Sequence, residues 1–384
     1  MIAYNTTWLR NLGIIKEAKS WSSHDIISVE QYSVIKETYP SNFYHPNLII
    51  RILLFIATVV ALSGATGLVS LAFLDNDGAP IMFAIYGFVS WAFLELVFIK
   101  QKHHYKSGVT EALLYHSAGF VIGGLVAATD FDEHVFLILA LIVCTIAAIR
   151  YADLIATVCA VGSFAGLIFL EMYKIGGIAQ NLIPFAFLIV FGLGFFIVRK
   201  LKSNKVLVWW GDCLVLIEVL CLLLVYVSGN YLVVRELSVS MLELYLEEGQ
   251  DIPFAFIFYG LTVIIPAAYL FFGIRNKDII LLRVSLLVLA FSVFTFKYYF
   301  SLGHPEISLT LAGIIMISIA MGLFRYLRTP KHGFTRENLL GEKWAGANPE
   351  AFVISQTLGG NIATEGPQAG GGGHSGGGGS SDAW

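Results

Sequence analysis

The chain has 384 residues, 57% of them hydrophobic and only 13% charged, against about 25% charged in an average soluble domain. That balance excludes a water-soluble globular protein, and a formal net charge of −3 leaves no basic surface for nucleic acid. The four cysteines, Cys144, Cys159, Cys213 and Cys221, all fall inside apolar runs without a CxxC pair. They read as buried small hydrophobes, not as disulfides or metal ligands.

Residues 1–47 are polar and carry no secretory signal pattern. They predict a short pair of cytoplasmic helices. Thr6 or Thr7 caps the first, which carries Trp8, Leu9 and Leu12. Ser28-Val29-Glu30-Gln31 has the form of a capping box, in which serine and glutamine side chains satisfy free backbone amides. Val29, Tyr32 and Ile35 then share one face, and Pro40 ends the helix. The pair reads either as a docking or sensing module or as a lid on the ends of the membrane helices.

A hydrocarbon core about 30 Å thick takes about 20 apolar residues as helix. Ten runs approach that length: 48–73, 79–99, 108–128, 135–149, 152–172, 181–198, 206–228, 253–274, 279–299 and 306–327. The fourth is short, and only Arg150-Tyr151 parts it from the fifth, which implies a tight hairpin. Positively charged loops stay in the cytoplasm. Alternate loops hold thirteen lysines and arginines, from Lys100 to Lys331, while the opposite set holds only Lys174, Arg235 and Lys297 and is acidic. The expected fold class is therefore all-α: a polytopic transmembrane helical bundle of about ten spans, with both termini cytoplasmic.

Between spans seven and eight, Ser240-Met241-Leu242-Glu243 predicts a two-turn acidic external helix that ends at Gly249. The domains are then residues 1–47, a membrane domain 48–328 and a flexible cytoplasmic tail 329–384. The tail carries eight glycines in 370–379 and ends in Trp384, a composition that cannot bury enough surface to fold. Gly119 with Gly123, and Ser63 with Gly67, have the small-xxx-small spacing that permits close helix packing. Pro253 opens span eight, and Pro266 inside it kinks the helix or frees carbonyls. The pair His103-His104 lies in a basic loop and is expected to be solvated or near lipid headgroups.

The N-terminal pattern of Trp8, Gly13-Ile14-Ile15, Ile27-Ser28, Gln31 and Ile35, followed by many spans, resembles the DUF2157 type of bacterial membrane protein. The resemblance covers mainly the first 70 residues. The glycine-rich tail is similar to those of membrane proteins with TPM or DUF2207 domains, whose soluble domains have no counterpart here. These resemblances imply a bacterial inner-membrane protein and carry no catalytic residue.

Charge inside a span costs about 2.5–3.5 kcal/mol at a helix centre on insertion scales, so each such residue is a functional candidate. Glu95, Glu111, His116, Asp212 and Arg283 are expected in one layer of the cytoplasmic half, with Glu218 deeper, near mid-membrane. Two readings stand. In the structural one, Arg283 pairs with Asp212 or Glu95, and Glu218 is neutral because desolvation disfavours its charged form. In the functional one, the layer lines a wet cavity where Asp212 and Glu218 bind or relay a proton or cation, with His116 nearby. Asp212 and Glu218 are about 120° apart around the helix and share no face.

No HExxH, GxSxG, Walker or Rossmann pattern occurs in a usable context, and no metal spacing is present. No cofactor or metal is expected, and the reading leans away from an enzyme; an Asp/His membrane enzyme ranks last. The first functional expectation is a secondary transporter or proton-coupled permease for a small solute. The alternative is a non-catalytic scaffold or sensor whose protein partner binds the N-terminal helices or the tail. Beyond these, the lipid bilayer is the expected partner.

Overall fold

The computed structural model describes residues 2–73, 78–241 and 250–299, with isolated positions between 313 and 325. Among the described residues, nine helices are long and apolar enough to cross a membrane. The protein is an all-α polytopic bundle. The expected tenth span, the acidic helix after Ser240 and the tail from 329 fall outside the described residues, apart from those isolated positions.

Two helices precede the membrane domain: α1 (Thr6–Ser23) and α2 (Val29–Thr38). The cap of α1 is Asn5, not a threonine: its side chain accepts from the amides of Thr7 and Trp8. Asparagine is the stronger cap because its carbonyl reaches both amides without competing for the helix backbone. The Ser28/Gln31 capping box forms as expected. Asn11 donates to the Pro40 carbonyl at 2.8 Å, which folds α2 back on α1.

The spans follow as α3 (Leu48–Phe73), α4 (Ala79–Phe93), α5 (Val109–Ala127), α6 (Glu133–Tyr151), α7 (Leu154–Ile175), α8 (Ile178–Lys202) and α9 (Gly211–Gly229). A short surface helix, α10 (Tyr231–Ser240), precedes α11 (Ala255–Asn276) and α12 (Ile279–Tyr299). Span four is longer than its apolar run because Asp132 caps it, accepting from the Val135 amide at 3.0 Å. Asp153 likewise caps α7 through the Ala156 amide at 2.8 Å. Alternation places the basic loops and the N-terminal pair at one end of the bundle, here the basic end, and the acidic loops at the other.

The bundle has two centres. At the basic end, α5 is the most buried spanning helix and lies in a cluster with Tyr4, Leu94, Ile99, Ala147 and Tyr151. Further along the chain, Leu222 and Tyr226 of α9 pack with Ile265, Leu281, Val284 and Val288. Inside lipid, packing and hydrogen bonds hold helices together, so small residues at contacts matter most. The close α4–α5 contact uses Gly87 and Gly124, whose missing Cβ atoms would lie 2.6 Å from the Val121 amide nitrogen and 2.4 Å from that of Ala84. The expected pair Gly119 and Gly123, and also Gly67, meet nothing within 4 Å. The expected small-xxx-small pair of α5 is therefore not its packing face, which carries Gly124 instead. Cys159 also departs from expectation: it is exposed on α7, while the other three cysteines are buried.

Pro266 lies inside α11 and cannot donate to the carbonyl four residues back. That carbonyl, of Thr262, accepts instead from the Ser292 hydroxyl of α12 at 2.9 Å. The kink therefore frees no carbonyl for a ligand.

Candidate functional site

Several carboxylates within or beside the spans take cationic or phenolic partners on other helices. Glu95 lies where α4 passes into a π-helical stretch, Leu94–Gln101, a geometry that occurs often at functional sites. Arg150 of α6 donates to one of its oxygens, and Tyr151 donates to the other at 3.1 Å. Glu111, in the first turn of α5, accepts from Arg51 of α3, from the Gly108 amide at 2.8 Å and from the Thr110 hydroxyl at 2.8 Å. Asp153 accepts from Tyr115 at 2.9 Å. Tyr4 of the N-terminal segment sits over this group, and burial first, then the nearby Glu111, push its phenol well above the ordinary range.

Glu218 is 1% exposed, two turns into α9. Lys202, in the last turn of α8, donates to it at 2.6 Å, and Arg199 lies 4.0 Å away. Arg199 also pairs with Asp278 at 2.9 Å, and Asp278 caps α12. One chain of charges thus ties α8, α9 and the α11–α12 corner together.

Several expectations are corrected. Glu218 is not a lone carboxylate, because the long basic side chains at the end of α8 reach inward to it. Glu95 takes Arg150, and Arg283 is exposed on α12. Asp212 is exposed in the first turn of α9. The residues before it form a 3₁₀ helix, Lys205–Trp210, whose Trp210 donates to the Ile149 carbonyl at 2.9 Å. His116 lies 3.2 Å from the Tyr86 hydroxyl and packs tilted against the Phe120 ring. His116 and Asp212 line different cavities, so the structure does not bring that pair together. The structure brings Glu95 and Glu111 together at the basic end; His116, Glu218 and Arg283 lie elsewhere.

A cavity of about 480 Å³ opens at the basic end between α1, the loop 102–108 and the start of α9. Its walls include Lys16, Lys19, His45, Lys106, Trp209 and Asp212. The roof is docked firmly: the Ala3 amide donates to the Arg150 carbonyl at 2.7 Å, and Tyr44 exchanges backbone bonds with His103 and Tyr105. His103 packs its ring against Trp8, and His104 lies 3.0 Å from the Ser107 hydroxyl. These two histidines are therefore part of the lid contact, not of a solvated loop. Burial, with Lys102 adding, holds the His104 imidazole below its ordinary value, and burial raises the Tyr105 phenol to about 12.

Sequence reasoning missed the partners. Arg51 could have been found as an arginine inside the first apolar run, and Asp153 as an aspartate at the start of one. Lys202 and Tyr4 carried no pattern. At the acidic end, a buried network of Asn230 with Tyr226 at 2.8 Å and Thr295 at 2.9 Å was also unforeseen. Among the described residues, no group of three or more His, Cys, Asp or Glu forms a metal-binding cluster.

No known protein family, curated protein or solved structure matches the chain. Fold and site define a multi-pass helical membrane protein whose spans are cross-linked by ion pairs.

Proposed function

We propose that the protein is a secondary transporter or proton-coupled permease for a small solute, lying in a bacterial inner membrane with its basic end in the cytoplasm. The observation that supports this reading is Glu218. A bundle that only had to span lipid would have apolar residues here, because burying a charged pair gains little over well-packed hydrophobes. A carboxylate clamped by Lys202 and Arg199 is a latch instead. Protonating it removes its charge and releases Lys202, and the α8–α9 contact is then free to change. The basic loops, the paired carboxylates and the cavity under the lid all lie on the side from which a proton or solute would leave.

The test is transport by the purified full chain in proteoliposomes, using a panel of small solutes with an imposed pH gradient. Glu218→Gln is expected to abolish the pH dependence of whichever solute flux the wild type shows. Equal pH-driven flux in wild type and variant would remove Glu218 from the mechanism, and the absence of any flux would favour the second reading.

That second reading is a scaffold or sensor, and α2 favours it. No residue of α2 is buried, and Ile26, Val29 and Val34 around it are each more than half exposed. A partner captured by crosslinking in cells, and lost when 24–39 is replaced by a Gly/Ser linker, would support it.

A further inference from the structure

The basic-end cavity has an unusual composition for a membrane protein's margin. Three lysines from two separate segments face it: Lys16 and Lys19 from α1, and Lys106 from the loop before α5. One carboxylate, Asp212, opposes them. Ile2, Leu9, Leu12 and Ile15 form an apolar wall, with the ring faces of Tyr105 and Trp209. Its volume of about 480 Å³ falls inside the range of about 300–1,000 Å³ in which proteins hold small molecules.

Two further observations bear on it. Lys106 lines the cavity with φ +46°, a left-handed backbone that the surrounding structure must enforce. His45 reports the local potential. Its Nδ1 edge lies 3.0 Å from the Tyr105 carbonyl. Desolvation of the ring lowers its affinity for a proton most, the Tyr105 carbonyl opposes that, and Arg51, Lys16 and Lys106 add to the lowering.

From this geometry we infer that the cavity binds a phosphate monoester or diester carried on a ring or a short apolar body. Lysine binds phosphate as a compact point charge on a flexible stem, and three such charges line one cavity here. The aromatic and aliphatic wall accommodates the organic part. The phosphate arrives either on a soluble molecule from the basic side or on a lipid headgroup at the rim. The inference does not depend on transport, since a bound phosphate serves a substrate or a regulatory role equally.

The test is isothermal titration calorimetry on the purified full chain in detergent, with phenyl phosphate, inorganic phosphate and dihexanoyl phosphatidate as probes. Phenyl phosphate is expected to bind saturably at one site, at least ten-fold tighter than inorganic phosphate. Lys19→Gln combined with Lys106→Gln is expected to weaken it ten-fold or more. Both lysines are at the surface of the cavity, and an unchanged melting temperature confirms the fold. Asp212→Asn is expected to tighten binding, since it removes the opposing charge. A preference for phosphatidate with the same lysine dependence supports the site and assigns its source to lipid. If neither organic phosphate binds saturably, or binding survives the double lysine variant, the inference is overturned.

Discussion

Gly108 shows how a single residue shapes the basic end. Its φ is +90°, and a Cβ there would lie 2.1 Å from the Arg51 carbonyl oxygen. Only glycine lets α3 come close enough for Arg51 to reach Glu111, while the Gly108 amide itself donates to the same carboxylate. Gly108→Ala is expected to cost at least about 1–3 kcal/mol from the backbone strain alone, with the clash adding to it. The readout is the melting temperature in detergent, which an ordinary loop glycine would leave unchanged. Ser292 makes the complementary case. Ser292→Ala leaves the Thr262 carbonyl without the donor that Pro266 denies it, a loss of about 0.6–1.7 kcal/mol by membrane hydrogen-bond measurements. Ser63→Ala, whose hydroxyl bonds only its own helix at Val59, is expected to change stability far less.

At the scale of elements, the N-terminal segment behaves as a lid held by Tyr4, Phe43, Tyr44 and the loop 102–108. Its stability carries a pH dependence that follows from His45 and His104, both held below the ordinary imidazole value. Folded, these rings bind protons less readily than they do unfolded, so the folded lid binds fewer protons and stability rises with pH. The contribution is fully present above the unfolded value of about 6.5 and is lost as pH falls from there through the lowered folded values. Hydrogen exchange of residues 41–46 and 102–108 is therefore expected to be faster at pH 5.5 than at pH 7.5, after correction for intrinsic rates. Equal corrected rates would remove the histidines from the lid contact.

Helix existence was legible in the sequence because lipid imposes a length and an apolar composition on each span. The nine described spans have ends within a few residues of the apolar runs. Inside the second and seventh, the π-helical and 3₁₀ stretches have the same apolar composition as an α-helix, and composition does not distinguish them. The charged residues were legible as individuals. Their partners were not, because a pair such as Arg51 with Glu111 or Arg150 with Glu95 depends on which helices are neighbours, and apolar periodicity inside lipid marks no preferred face. Lys202 reaches Glu218 through the length and flexibility of its side chain, a property with no sequence period at all.

At the scale of the molecule, two packed groups of helices meet where α7 touches α9, and each carries its own ion pairs. In the first group, Arg51–Glu111 and Arg150–Glu95 join α3 to α5 and α4 to α6. In the second, Lys202, Glu218, Arg199 and Asp278 join α8, α9 and the α11–α12 corner. A transporter works by moving such groups against each other around a site, and in the proposed transport function the release point is Glu218. Thiol reactivity reads this directly. Cys221 lies one turn from Glu218 and is buried, with its sulfur packed against Gly194, while Cys213, also buried, borders the basic-end cavity. With Cys144 and Cys159 replaced by serine, a membrane-impermeant thiol reagent added from the basic side is expected to label Cys213 faster than Cys221, and Glu218→Gln is expected to speed labelling of Cys221. If Cys221 stays unlabelled in both the wild-type background and the Glu218→Gln variant while the protein remains folded, Glu218 lies in a dry and permanent pair, and the transport account fails.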